Sequence, residues 1–275
     1  MTWCRKIGQM SETRNVFHVL PQYQPIMRAV GLDAEAVFDH PDIVAWRKLP
    51  DRENCTLDAE LDARPIRLHI KRYLTSATAA ADEVKAIELL RDANIPTVPL
   101  VGHGSLADGR SFVITEDLTG YRDAEKMIAA GTPFESLLAP TADLAAKLHE
   151  AGLHHRDLYL CHFFAKTDEN GVADVKLIDA ARVARMTNFL TRWRWVIKDL
   201  AQFWYSTTTS GVAAITDEQR ERWLTRYADR REICWLPRLR AAIKAKSNAI
   251  ARHDAKLKQK QPTRNVSIPS EGGRA

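Results

Sequence analysis

Leu153-His154-His155-Arg156-Asp157-Leu158-Tyr159-Leu160-Cys161-His162-Phe163-Phe164 sets histidines, an arginine and a carboxylate between apolar residues, an order that packing alone does not select. Upstream, Leu144, Leu148 and Ala151 recur at helical spacing, and Gly152 follows where a left-handed C-terminal cap sits. The spacing therefore predicts a helix that ends just before the charged cluster. Downstream, Phe163-Phe164-Ala165 and Val175-Lys176-Leu177-Ile178 flank the turn-rich Thr167-Asp168-Glu169-Asn170-Gly171, which reads as a hairpin. The second strand runs straight into Asp179. One hairpin thus brings two carboxylates close together, Asp157 on a loop and Asp179 at a strand end.

Helix, His-Arg-Asp loop, hairpin and Asp resemble the catalytic segment of the protein-kinase-like fold, in which one Asp orients the attacking hydroxyl and the other holds magnesium on the phosphates. Three letters alone are a weak match. The string Leu-His-x-x-Gly-x-x-His-Arg-Asp-Leu from Leu148 to Leu158, followed by Leu177-Ile178-Asp179, is far more specific. Its continuation through Tyr159-Leu160-Cys161-His162-Phe163-Phe164, with Lys198-Asp199-Leu200 and Trp204-Tyr205-Ser206, resembles the bacterial lipopolysaccharide core kinases. Those enzymes phosphorylate heptose or Kdo sugars of the lipid A-core. The likeness runs from about Val44 to about Ser210 and is most specific around Asp157.

The resemblance implies an α+β, bilobal, protein-kinase-like fold. Residues 1–42 are expected as an N-terminal extension, 43–118 as an N-lobe of antiparallel sheet with one main helix, 119–251 as a mostly helical C-lobe and 252–275 as a basic flexible tail. It assigns Asp157 to orient the acceptor hydroxyl and take its proton late, with His155 and Arg156 holding the loop. Asp179 is the metal carboxylate. His162 stands where protein kinases place a metal-binding Asn, and imidazole is a poor magnesium ligand. Either one metal suffices, Asp179 dominates its coordination, or His162 meets a phosphate.

In the N-lobe, Ile43-Val44-Ala45-Trp46 reads as a strand, Asp51-Arg52-Glu53-Asn54 as a turn and Cys55-Thr56-Leu57 as the return strand. Protein kinases carry a glycine-rich loop here, and this chain has no glycine there, so Arg52 is either a substitute phosphate contact or an ordinary exposed charge. Ile66-Arg67-Leu68-His69-Ile70-Lys71-Arg72-Tyr73 alternates, with Ile66, Leu68 and Ile70 on one face and Arg67, His69, Lys71 and Tyr73 on the other. A strand lysine on a polar face is usually just solvated. On the helix expected from about Thr78 to Asp92, however, Glu83 shares an apolar stripe with Ile87 and Leu90, where a carboxylate needs a cation. Lys71 is the natural partner, as in the strand-lysine to helix-glutamate pair of kinases that binds the α- and β-phosphates of ATP. His69 is a candidate for stacking on the base, against the plainer reading of a satisfied structural histidine. Ser111 to Glu116, rich in β-branched and aromatic residues, leads into a hinge in which backbone groups of Glu116 to Leu118 would meet adenine, the alternative being ordinary strand-end acids.

Asp179 is followed by Ala180-Ala181-Arg182 and by no Ala-Pro-Glu segment, so a full activation loop has no room and a protein substrate is disfavoured. The interval holds Arg182, Arg185, Arg192 and Arg194 among Phe189, Leu190, Trp193 and Trp195. Two readings stand. Either these cations and rings meet an anionic sugar or lipid head group, or they form a helix with a solvated basic face and a packed aromatic one. By analogy with kinases, Asp199 ties back to the catalytic loop. Beyond Thr216, Asp217-Glu218-Gln219 looks like a helix start, with Trp223, Tyr227, Ile233 and Leu236 supplying core.

A length of 275 residues with 45% hydrophobic composition allows one large or two modest domains with proper cores. Cys4, Cys55, Cys161 and Cys234 are scattered and form no Cys-x-x-Cys pair, so free thiols are expected. Met1 to Leu20 shows no apolar run of signal-peptide length and no later segment approaches a membrane span, so a cytoplasmic location is expected, with peripheral contact at the inner face of the cytoplasmic membrane. Of the formal charge of +5, a net +4 lies from Arg252 onward, which argues against specific nucleic-acid binding by the body. The sequence thus points to an ATP- and Mg2+-dependent kinase acting on a lipopolysaccharide-core sugar or similar anionic glycolipid. Two rivals stay open: a phosphotransferase for another small molecule such as choline or an aminoglycoside, and a non-catalytic pseudokinase that binds a partner.

Overall fold

The computed structural model describes residues 14–61, 64–169, 171–188 and 190–262. Cys4, Phe189 and the tail residues from Arg264 on, all named above, lie outside them. In chain order come β1 (Val16–Val19), α1 (Gln24–Ala29), α2 (Ala36–Asp39), β2 (Val44–Lys48), β3 (Arg52–Leu61) and β4 (Arg64–Tyr73). Next are α3 (Ala79–Asp92), β5 (Leu100–Ser105), β6 (Ser111–Glu116), β7 (Arg122–Asp123), α4 (Ala124–Ala129) and α5 (Phe134–Glu150). The remainder is β8 (Leu153–His154), β9 (Phe163–Thr167), β10 (Ala173–Leu177), β11 (Ala184–Arg185), α6 (Arg192–Ser206), α7 (Asp217–Arg230) and α8 (Leu236–Lys260). The chain is α+β and protein-kinase-like. Its contacts divide it into two units, residues 14–81 with 101–115, and residues 82–100 with 116–262.

Among the described residues the first unit is built on a six-stranded sheet in the order β1-β5-β6-β4-β3-β2. β4 pairs antiparallel with β3, setting His69 opposite Thr56 and Lys71 opposite Asn54. The expected alternation holds: Leu68 and Ile70 are buried, while His69 and Lys71 are half-buried on the other face. Arg72 continues the buried face, and its charge is met there by the Val37 carbonyl at 2.7 Å and Glu53 at 3.0 Å. The β2–β3 turn is tighter than the sequence suggested. Leu49 donates to the Arg52 carbonyl at 2.8 Å, so Arg52 opens β3 and does not sit in a turn, which spans only Leu49 to Asp51.

β1, inside the stretch expected as an N-terminal extension, pairs antiparallel with β5, Val16 opposite Ser105 and Val19 opposite Gly102. The close approach requires small residues on β5, because a Cβ on Gly104 would strike the Val16 carbonyl and the Phe112 ring. Phe17 and Phe38 both meet Phe112 edge-on, with centroids 5.1 and 6.0 Å away, within a core that also holds Ile26, Met27 and Val37.

In the second unit, α3 buries Glu83, Val84, Ile87 and Leu90, the stripe expected of it. After it, Thr97 donates to the Leu177 carbonyl at 2.7 Å, stitching this segment to β10. β9 pairs with β10 as the hairpin expected and with β7 on its other side. The core stacks Phe203 on Trp223 at 4.0 Å, and the Trp223 indole N–H donates to Thr141. Thr216 caps α7 in a capping box with Gln219. Trp223 and Tyr227 are core as expected, whereas Ile233 and Leu236 are only half-buried. α8 runs to Lys260, past the start of the stretch expected as a flexible tail. Asp254 holds it there, accepting from the Tyr205 hydroxyl at 2.7 Å and pairing with Lys258 one turn on at 3.0 Å.

Candidate active site

The catalytic string forms a loop whose backbone is held from one side by a single helix face. α5 ends at Glu150, Gly152 follows just past the end with φ +70°, as the cap reading required, and β8 carries the chain to His154. Asp199 on α6, fully buried, accepts the backbone N–H of His155 at 2.6 Å and of Arg156 at 2.9 Å. These bonds coincide with a left-handed backbone at Arg156, φ +70°, a conformation that an L-residue keeps only when its surroundings enforce it. One turn along α6, Gln202 donates to the Arg156 carbonyl at 2.8 Å and accepts from the Leu158 N–H at 3.3 Å. Ser206 accepts the Leu160 N–H at 2.8 Å, and Lys198 donates to the Arg156 carbonyl at 3.0 Å.

Asp199 was legible as a loop anchor; Gln202 and Ser206 were not identified. Their signal was present in the sequence, since Asp199, Gln202 and Ser206 fall at i, i+3 and i+7 among the buried Leu200 and Phe203. Burial pushes the Asp199 carboxyl up, but the opposing effects of His149 and the loop amides outweigh it and hold it below the usual carboxylate range. His149 lies 3.4 Å from Asp199 and is itself bonded to the Tyr227 hydroxyl at 2.7 Å.

His155 and His162 knit the loop to the strand end. His155 is buried, and burial lowers its pKa, so it is a neutral ring that donates from Nε2 to the Ile178 carbonyl at 3.1 Å. Ile178 in turn donates its N–H to the His162 carbonyl at 3.0 Å. His162 Nδ1 lies 2.6 Å from the Asp157 carbonyl and must donate, because a carbonyl only accepts. Its Nε2 faces Asp179 at 3.8 Å. One imidazole therefore spans the two carboxylate residues. Asp179 sits in the left-handed region, φ 56° and ψ 57°, at the entry to a short 3-10 turn, Ala180–Arg182. Arg182 returns from that turn to Asp157, its Nη1 3.1 and 3.0 Å from the two carboxylate oxygens.

Around this core the cations and rings interleave. Trp195 stacks on His154 with centroids 4.6 Å apart and planes 9° from parallel, and the Arg156 guanidinium lies 5.3 Å from the Trp195 centroid. Burial pushes the His154 ring down to about 4 and lowers Lys198 as well. Trp193 meets Trp235 edge-on at 4.6 Å, whereas Leu190 is 87% exposed. The interval from Arg182 to Trp195 thus mixes the two readings offered for it, Trp193 and Trp195 packed against other rings and Arg182 at Asp157.

Asp157, Asp179, His155, Arg156 and His162 come together in the second unit. Lys71 lies on β4 of the first unit, and Glu83 is buried on α3. The Glu116 N–H is spent on the Pro99 carbonyl at 2.9 Å, and the Leu118 carbonyl accepts from Tyr121 at 2.9 Å. Among the described residues, no group of three or more His, Cys, Asp or Glu side chains converges as a metal cage, and Cys55, Cys161 and Cys234 are free. Magnesium takes oxygen ligands and is commonly held by one or two carboxylates with substrate phosphates and water. An accessible carboxylate at Asp179, 44% exposed, fits an ion that arrives with a nucleotide.

A loop carboxylate whose backbone α6 clamps, and a strand-end carboxylate that faces His162, fit the class that the family match shows: a protein-kinase-like phosphotransferase with a hydroxyl acceptor. Comparison with known proteins fixes the family. Residues 67–227 match the model of the lipopolysaccharide kinase (Kdo/WaaP) family, and the chain belongs to it. It is 30% identical over 209 residues to the lipopolysaccharide core heptose(I) kinase WaaP of Pseudomonas aeruginosa, covering 66% of this chain and 75% of that one. To the protein of the same name from Escherichia coli K12 it is 32% identical over 155 residues, 51% of this chain and 56% of the relative.

Proposed function

We propose that this chain transfers the γ-phosphoryl group of ATP, with Mg2+, to a sugar hydroxyl of a lipopolysaccharide core, heptose or Kdo, or of a similar anionic glycolipid. The observation that supports the reading is the His162 imidazole, which donates to the Asp157 main-chain carbonyl and faces the Asp179 carboxylate, linking the two residues that would orient a hydroxyl and hold a metal in phosphoryl transfer. The acceptor oxygen bonds to the γ-phosphorus as the bond to the β-bridging oxygen breaks, and its proton passes late to Asp157. Positioning matters more than basicity in a loose transition state, and the α6 bonds supply that positioning. Mg2+, when bound, neutralises phosphate charge. Asp179 is the residue to hold it, and His162 serves to orient the Asp157 loop.

In this reading Lys71 meets the α- and β-phosphates, and backbone groups of the Glu116 to Leu118 segment meet the base. Residues 43–118 then form the nucleotide-binding lobe and 119–251 the acceptor lobe. Among the described residues no helix is long and apolar enough to cross a membrane. The acceptor, a glycolipid, would be met at the inner face of the cytoplasmic membrane.

The test is a set of acceptors incubated with γ-labelled ATP and Mg2+: purified core glycolipid, an aminoglycoside and choline. Label is expected on the glycolipid alone. Label only on the aminoglycoside or choline overturns the acceptor assignment, and no label anywhere, with no nucleotide binding, favours the pseudokinase.

A further inference from the structure

Asp157, the carboxylate that must receive the acceptor hydroxyl, is already engaged. Arg182 Nη1 lies 3.1 and 3.0 Å from its two oxygens, and Gln202 Nε2 stands 3.5 Å from Oδ1. An arriving hydroxyl therefore competes with the guanidinium for these oxygens. The pair is open enough to exchange, with Arg182 49% and Asp157 23% exposed, and ion pairs that reach solvent are held weakly.

The surroundings favour a second anion. Arg156, Arg182 and Lys198 gather about Asp157 and Asp199, and both Asp199 oxygens already accept loop amides. The Arg182 guanidinium thus faces Asp157, the Lys198 ammonium lies on the adjoining backbone, and Asp199 is spent on loop amides. Burial first, and then the charges of Arg182 and Arg156, lower Lys198 against the opposing pull of Asp157 and Asp199. A guanidinium is a planar fork that matches carboxylate and phosphate equally well.

We propose that Arg182 reads a negative charge on the acceptor: a carboxylate or phosphate of the sugar replaces Asp157 at the guanidinium, while the acceptor hydroxyl replaces the guanidinium at Asp157. This rests on the phosphotransferase reading above and narrows its substrate class to a hydroxyl with an anionic group nearby on the same or the adjoining residue. A neutral sugar offers only half of the exchange. It must break the ion pair without replacing it.

The experiment compares four forms of deacylated core oligosaccharide: intact, carboxyl-methyl-esterified, dephosphorylated, and treated both ways. Each is assayed for kcat/KM with wild type, Arg182→Gln and Arg182→Lys. The wild type is expected to lose roughly 10- to 100-fold on the form that lacks the anion read, the size of one charge-assisted hydrogen-bonded contact. Which single treatment causes the loss tells carboxylate from phosphate. Arg182→Gln should be slow on the intact form and indifferent to treatment, and Arg182→Lys should keep part of the discrimination. If Arg182→Gln retains the wild-type ratio, or the wild type ignores all treatments, the role of Arg182 is overturned and the kinase reading stands. If the wild type phosphorylates none of the forms, the kinase reading fails and Arg182 falls with it. The wild-type ratio and Arg182→Lys keep the test decisive should Arg182→Gln not fold.

Discussion

His154 and His155 are adjacent, and burial lowers the pKa of both, His154 to about 4. Unfolded, each takes a proton near pH 6.5. Below that pH the unfolded chain binds more protons than the folded one, so this contribution to stability is complete above about 6.5 and is lost as pH falls toward 4. His154→Phe retains a ring against Trp195 and removes one of the two proton acceptors. Its melting temperature should fall less steeply than that of wild type between pH 6.5 and 5 in a thermal scan, and parallel slopes would contradict the assignment. At this scale the sequence was most legible where a local string sets the placement, as for Asp157 on its loop and Asp179 after its strand, or where alternation sets it, as at Leu68 and Lys71. Arg72 escaped that logic. Its place on the buried face depends on Glu53 and on the Val37 carbonyl, partners 19 and 35 residues away that no local pattern shows. The Arg182–Asp157 pair, 25 residues apart, was hidden for the same reason.

α6 acts as a clamp. Lys198, Asp199, Gln202 and Ser206 hold the backbone from His155 to Leu160, and they replace with side-chain groups the sheet partners that a loop lacks. Gln202→Leu removes a donor and an acceptor at once and strands the Leu158 amide. It should cost roughly 1–3 kcal/mol in urea unfolding. A loop displaced by even about 1 Å should also lower kcat by 10-fold or more, with KM for ATP little changed. Full kcat at reduced stability would show that the clamp supports the fold but not the chemistry. The element itself was predictable, because its aromatic and aliphatic residues recur at helical spacing. Its polar stripe was not read as a loop anchor beyond Asp199, since a glutamine or serine on a helix usually signifies only solvent. α8 shows the converse case: composition from Arg252 onward argued for a flexible end, whereas the helix runs on through Lys260 and a bond from the Tyr205 hydroxyl to Asp254 ties it to α6.

At the scale of the whole chain, the order of elements was the most legible property. Sheet strands with a helix, then the helical remainder, follow from periodicity and turn residues taken in sequence. The pairing of β1 with β5 was not legible, because four residues, Val16 to Val19, carry no motif and their partner lies more than 80 positions away. The proposed binding of nucleotide through Lys71 and of magnesium through Asp179 would stabilise the fold by mass action. ATP with Mg2+ at about 100 times its dissociation constant should add roughly 2.7 kcal/mol. Asp179→Asn should retain the shift given by ATP alone and lose the increment given by Mg2+. An equal increment in both proteins would remove Asp179 from the metal.

The central claim is that Asp157, held by α6 and His162, orients an acceptor hydroxyl for phosphoryl transfer. Its most direct test is turnover of purified core glycolipid by wild type and by Asp157→Ala, with circular dichroism confirming an intact fold. The account predicts that the variant loses several orders of magnitude in kcat while its ATP- and Mg2+-induced thermal shift persists. Transfer by Asp157→Ala within a few fold of wild type would contradict it.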